Sequence, residues 1–229
     1  MSSIILLHGA LATEQQMLPL KALLDDHHAR VLTFSGHGLR AEEPLDFMRF
    51  VDDIHAAIMH GVSERVHLFG YSMGGYAALL YAARYPQQVL SVTTLGTIFV
   101  WSDGILAQEL RKLEPAVIEK KVPAFARTLA AWHGETAWRA VVLGIAARMK
   151  DLSSEPMLTV EVLRSITCPV LCCVGDGDTG ADPERTRQFA QGLPNAHALV
   201  LPDTKHAFET VRLDTLLPFV RAHWAASEG

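Results

Sequence analysis

Apolar residues cluster into six short runs along the chain: IILLHG at 4–9, ARVLTF at 29–34, RVHLFG at 65–70, VLSVTTLG at 89–96, PVLCCVG at 169–175 and HALVLP at 197–202. Their length, their content of Val, Ile and Leu, and the Gly, Pro and polar residues around them predict β-strands. Most are continuously apolar instead of alternating with polar residues. That pattern belongs to strands covered by helices on both faces, and therefore to a parallel sheet. Segments 46–60 and 75–84 carry the three- and four-residue spacing of helices between strands. The expected fold is an α/β three-layer α/β/α sandwich with a mostly parallel sheet of about six strands.

The rhythm breaks between residues 98 and 167, where no convincing strand separates two strands expected to be neighbours. Leu106, Leu110, Leu113 and Val117 recur at helical steps, as do Trp138, Val141, Val142, Ile145 and Met149, and Pro123 is suited to the first position of a helix between them. Segments 1–97 and 168–229 are therefore expected to form the core of one domain, with 98–167 a helical insertion. No repeat, low-complexity tract or polar linker marks a second independent unit.

Composition changes this picture only by exclusion. With 49% hydrophobic and 20% charged residues the chain has the material for a sizeable core. A formal charge of −5, with no Lys/Arg run longer than two, gives no footprint for nucleic acid. Cys168, Cys172 and Cys173 fit neither a disulfide framework nor a zinc site, so they are expected as buried free thiols in a reducing compartment. The start MSSIILLHGALAT lacks a basic leader region and reads as a strand, and no apolar run reaches the ~18 residues of a membrane span. A cytoplasmic protein is expected.

Chemistry enters at Gly70-Tyr71-Ser72-Met73-Gly74, a G-x-S-x-G directly after the run RVHLFG and directly before the helical pattern GYAALLYAARY. Strand, turn and helix in that order are the setting of a nucleophile elbow, in which a strained turn holds the serine and the following helix aims its positive end at the reacting oxygen. Glycines at 70 and 74 leave room for close backbone approach.

With these residues the sequence resembles the α/β-hydrolase superfamily over nearly the whole chain apart from the insertion. His8-Gly9 after the first strand, Gly36-His37-Gly38 after the second, Gly175-Asp176-Gly177-Asp178 at the end of the fifth and His206 after the last extend the likeness. The first recognisable strand already carries His8-Gly9, which points to a minimal sheet. The resemblance implies Ser72 as nucleophile and His206 as its base, since of eleven histidines His206 alone lies between the final strand and a closing helix. It implies Asp178 as the acid, with Asp176 the alternative and Asp103 an outside candidate. His8 and His37 are expected to make structural hydrogen bonds near the mouth of the site. His27, His28, His55, His60, His67, His133, His197 and His223 are expected on surfaces or at element ends.

The implied oxyanion hole uses the backbone N–H of Met73 and that of Ala10, with Leu11 the alternative. The insertion is implied to be a cap presenting Phe99, Trp101, Phe125, Trp132 or Trp138 to a largely apolar substrate. No cofactor and no metal are implied: no G-x-G-x-x-G follows a strand, and no histidine–carboxylate spacing suggests zinc. The expected activity is hydrolysis of a carboxylic ester or thioester on a small molecule. A C–C hydrolase or lyase on the same triad stays open, as does a non-catalytic receptor on this fold. Haloalkane and epoxide chemistry is disfavoured, because those relatives carry aspartate at the position of Ser72. An uncovered sheet edge leaves a homo-oligomer open.

Overall fold

The computed structural model describes residues 2–24, 28–61 and 65–228. Among them are β1 (Ser3–Leu7), a short α1 (Leu18–Lys21), β2 (His28–Leu32), α2 (Phe47–Met59), β3 (Val66–Tyr71), α3 (Met73–Arg84) and β4 (Val89–Leu95). Five helices follow: α4 (Asp103–Leu110), α5 (Pro115–Lys121), α6 (Pro123–His133), α7 (Ala137–Ser154) and α8 (Val160–Ser165). The chain then returns to the sheet with β5 (Val170–Gly175), α9 (Pro183–Gln191), β6 (Ala196–Leu201) and α10 (Leu213–Ala226). All six strands are parallel, in the order β2-β1-β3-β4-β5-β6.

The continuous apolar runs have the expected cause. Along β1, Ile5 and Leu7 point into one hydrophobic cluster while Ile4 and Leu6 point into the other. Leu68 and Phe69 divide in the same way on β3, and Cys172 and Cys173 on β5. Successive side chains of a strand face opposite sides, so both sides need apolar residues when both are covered. The first side is covered by α2, α3 and α9, through residues such as Phe50, Leu79 and Phe189; the second by α1 and α10, through Leu20, Leu216 and Trp224. Each fully buried Leu or Ile contributes about 2 kcal/mol in this arrangement. The three cysteines are buried free thiols, and burial pushes Cys168 and Cys172 up to about 12 and Cys173 well above its ordinary value.

Local signals explain the helix limits. Asp46 caps α2 by accepting from the Met48 and Arg49 amides, and Pro123 stands at the start of α6 as anticipated. The apolar run Leu106–Val117 is split instead of continuous: α4 ends at Leu110, two tight turns follow at Lys112 and Leu113, and Pro115 opens α5. Proline lacks the N–H that would continue the earlier helix. Trp138, Val141, Val142 and Ile145 lie buried on one side of α7. They share a cluster with Leu7, Leu11 and Tyr76, so the helices between β4 and β5 pack on the sheet's own core.

Candidate active site

Ser72 sits between β3 and α3 with φ of 50°, a left-handed conformation that costs a non-glycine residue roughly 1–3 kcal/mol. Tertiary contacts hold it there. Its amide donates to the Leu95 carbonyl at 2.8 Å, and its own carbonyl accepts from the Thr97 hydroxyl at 2.9 Å. The flanking glycines are required by close approach. A Cβ on Gly70 would lie 2.4 Å from the backbone of Gly74 and Gly75, and one on Gly74 would lie 2.5 Å from the Leu7 carbonyl oxygen. A side chain at either position would push the elbow off the sheet.

Ser72 Oγ lies 3.5 Å from His206 Nε2, and His206 Nδ1 lies 2.7 Å from Asp178 Oδ2. Three loops at the C-terminal ends of β3, β5 and β6 thus bring together residues far apart in sequence. Asp178 is 4% exposed, while the His206 side chain is 40% exposed at the pocket. Burial works against the charge on Asp178. The bond and charge of His206 together with the Ala181 and Gly180 amides, both 2.9 Å from Oδ1, outweigh it and hold the carboxyl below its ordinary value.

The competing acids are placed elsewhere. Asp176 is exposed and accepts from the Thr204 amide at 3.1 Å, bracing the loop that leads to His206. Asp103 is exposed at the first turn of α4. Tyr71, unremarked in the sequence beyond its place in the elbow, donates its hydroxyl to the His206 carbonyl at 2.6 Å and fixes that loop from the other side. Burial, with the nearby Glu209 and Asp178 carboxylates, raises its phenol and keeps it a donor.

A cavity of about 560 Å³ opens at these residues, lined by Ser72, Met73, Ala10, Leu11 and His206 and, from segment 98–167, by apolar residues such as Trp101, Phe125, Trp132 and Ile145 together with the charged Glu109, Lys112 and Arg148. Trp101, Phe125 and Trp132 line it. Phe99 and Trp138 do not. Phe99 stacks on Phe189 with ring centroids 3.8 Å apart, and Trp138 is 2% exposed within the core cluster, under Arg139. A strand-exit residue and a residue on the sheet-facing side of α7 are drawn into core packing, which the sequence does not distinguish from pocket lining.

The remaining histidines divide by burial. His8 donates through Nδ1 to the Gly9 carbonyl and accepts through Nε2 from the Phe34 amide, and His37 lies 3.1 Å from the Ser35 carbonyl, so both are structural as anticipated. His28, His60 and His197 are exposed, and His55 and His223 half-buried. His133 stands at an element end, the last residue of α6, yet is buried between Leu11 and Gly38, and His67 is buried within β3 between Ser91, Glu228 and Trp224. His27 lies outside the described residues. No group of side chains suited to hold a metal ion occurs among the described residues, and no helix is long and apolar enough to cross a membrane.

A parallel sheet with an elbow serine, a histidine and an aspartate at the ends of its strands defines the class as an α/β hydrolase. The chain belongs to the alpha/beta hydrolase family, whose model matches residues 4–215. Among curated relatives it is 26% identical to proline iminopeptidase PfmaB of Pestalotiopsis fici over 96% of this chain and 90% of that one. It is 21% identical to lipase 3 of a Moraxella species over 89% of this chain and 71% of that one. Its fold matches the crystal structure of a membrane phospholipase A described as a bacterial virulence factor (TM-score 0.79, 23% identity, 100% of this chain and 80% of that one). It also matches a 2-hydroxy-6-oxo-6-phenylhexa-2,4-dienoate hydrolase from Rhodococcus (TM-score 0.79, 20% identity, 98% and 90%).

Proposed function

We propose that this protein is a serine hydrolase of the carboxylesterase kind that cleaves carboxylic ester or thioester bonds of a small, largely apolar substrate. The observation that carries the reading is the Ser72–His206–Asp178 chain of contacts, with Ser72 and His206 opening on a cavity lined mostly by apolar residues and also by Glu109, Lys112 and Arg148. Ser72 Oγ attacks the carbonyl carbon while His206 Nε2 takes its proton. Asp178, ionised and bonded to Nδ1–H, fixes the tautomer and stabilises the imidazolium. The oxyanion is received by the amide of Met73, one of the N–H groups a helix leaves unpaired at its first turn, and by that of Ala10, with Leu11 alongside. Collapse expels the alcohol or thiol with the proton from His206. Water then attacks the acyl-enzyme with His206 again as base, releasing the acid. In this reading segment 98–167 is a cap that gives the acyl group its apolar surroundings, and no cofactor takes part.

The test is burst and steady-state release of p-nitrophenol from short-chain acyl esters. Ser72→Ala and His206→Ala are each expected to lose ~10⁶-fold in kcat and Asp178→Asn ~10⁴-fold, the scales seen when each triad member is disabled. Asp176→Asn, which touches only the Thr204 amide, should stay within about tenfold. A wild-type protein that neither turns over these esters nor reacts at Ser72 with a fluorophosphonate has no activated serine, and the reading fails.

A further inference from the structure

We infer that His133, the last residue of α6, is a positioning residue that ties the inserted helices to the loop after β1 and sets the orientation of that loop's amides. The inference rests on the serine hydrolase reading for its catalytic consequence, while the tie itself is a matter of geometry. The His133 ring is 5% exposed and bridges two backbone groups from distant parts of the chain. Nδ1 accepts from the Gly38 amide at 2.8 Å, and Nε2 lies 3.0 Å from the Leu11 carbonyl oxygen. An amide N–H only donates and a carbonyl only accepts, so the ring is neutral with its proton on Nε2. Burial lowers its proton affinity, against the Leu11 bond, and favours the same neutral form.

Leu11 needs such a tie. The Ala12 amide closes a four-residue turn onto the Gly9 carbonyl at 3.3 Å, with Ala10 and Leu11 in the middle. Leu11 occupies the third position with φ of 62°, where glycine or asparagine is usual. A leucine there gains nothing from its own backbone, and the peptide that follows it can relax by rotating its carbonyl. The Nε2–H bond to that carbonyl opposes the rotation. Because Ala10 and Leu11 line the cavity beside Ser72 and Met73, the orientation of this turn decides whether an amide faces the developing oxyanion. Trp132, the residue before His133, lines the same cavity, so one helix end places an apolar pocket residue and braces the loop beside the serine.

Two isosteres separate the bonds. His133→Asn puts an acceptor near the Nδ1 position for Gly38 but does not reach Leu11, whereas His133→Gln puts a donor near the Nε2 position for Leu11 and gives up Gly38. His133→Leu gives up both. Two readouts are taken on the full chain: kcat and KM for p-nitrophenyl esters, and amide hydrogen exchange of residues 10–12 without substrate. His133→Asn and His133→Leu are expected to lower kcat by ~10–100-fold at nearly unchanged KM, because an oxyanion donor acts in the transition state. Exchange at residues 10–12 should rise about tenfold or more while β1 keeps its protection. His133→Gln should retain kcat within about threefold of wild type. Equal losses in the Asn and Gln variants, or unchanged exchange at 10–12 in the Asn variant, would overturn the inference and reduce His133 to packing. Faster exchange in a protein whose wild type cleaves no ester would uphold the tie and overturn the esterase reading alone.

Discussion

Acidification should destabilise this protein well above the range in which carboxylates titrate, and His8 sets the scale. Its ring is completely buried, with Nε2 accepting from the Phe34 amide at 3.1 Å and Nδ1 donating to the Gly9 carbonyl at 2.7 Å. A second proton would have to go on Nε2, facing an N–H it now accepts from. Burial lowers the ring from 6.5 to about 4, with the Gly9 bond opposing and His133 adding to the effect. The unfolded chain therefore binds a proton near pH 6.5 that the folded chain refuses until about pH 4, and stability falls as pH drops through that window. The whole gap is worth about 3 kcal/mol, of which about 2 kcal/mol is lost by pH 5. His37, His133 and His223 are also lowered, burial being the largest cause in each, so they act in the same direction. Asp178, lowered in the fold, loses stability only as pH falls through the carboxylate range and leaves this window untouched. Urea unfolding at several pH values between 7.5 and 5 should show the free energy falling by at least about 2 kcal/mol. His8→Gln should reduce the slope below pH 6 by about 1.4 kcal/mol per pH unit, whatever it does to absolute stability. A wild-type free energy that is flat or rises toward pH 5 would refute the reasoning.

Three further outcomes follow from packing. In Gly175→Ala the new methyl would lie 2.1 Å from the Thr204 carbonyl oxygen, two residues before His206. The variant should lose ~1–3 kcal/mol by thermal unfolding and lose kcat together with it, and a variant with wild-type Tm and kcat would contradict this. Phe99→Ala, which removes the ring stacked on Phe189, should cost ~3–5 kcal/mol while leaving KM unchanged in the folded protein. Trp132→Ala should instead raise KM for apolar acyl esters with little loss of stability, and the reverse pattern would mean that the cavity wall is wrongly drawn.

What was legible in the sequence was legible for local reasons. Strands covered on both sides must be apolar on both sides, so β1, β3 and β5 announce themselves, and with them the parallel sheet and its two helical layers. The elbow is equally local, because a serine held at φ of 50° between a strand and a helix leaves no room for a side chain at 70 or 74. The strand-end positions of Asp178 and His206 are legible in their order along the chain together with the family resemblance.

The tertiary structure alone decided the rest. Asp176 and Asp178 have the same chemistry two residues apart, and only the turn after β5 sends one toward the Thr204 amide and the other beneath the His206 ring. Trp132 and Trp138 are the same residue type on successive helices, yet one lines the cavity and the other is closed into the core, because the rotation of each helix is set by its neighbours. His133 carries no sequence signal at all. Its partners, Leu11 and Gly38, lie 122 and 95 positions away, and they offer a carbonyl, which every residue has, and an N–H, which only proline lacks. Period and turn chemistry are written in neighbouring residues, so the sequence by itself determines elements, layers and the elbow. Which buried polar group meets which backbone amide depends on contacts between segments that come together only when the chain has closed.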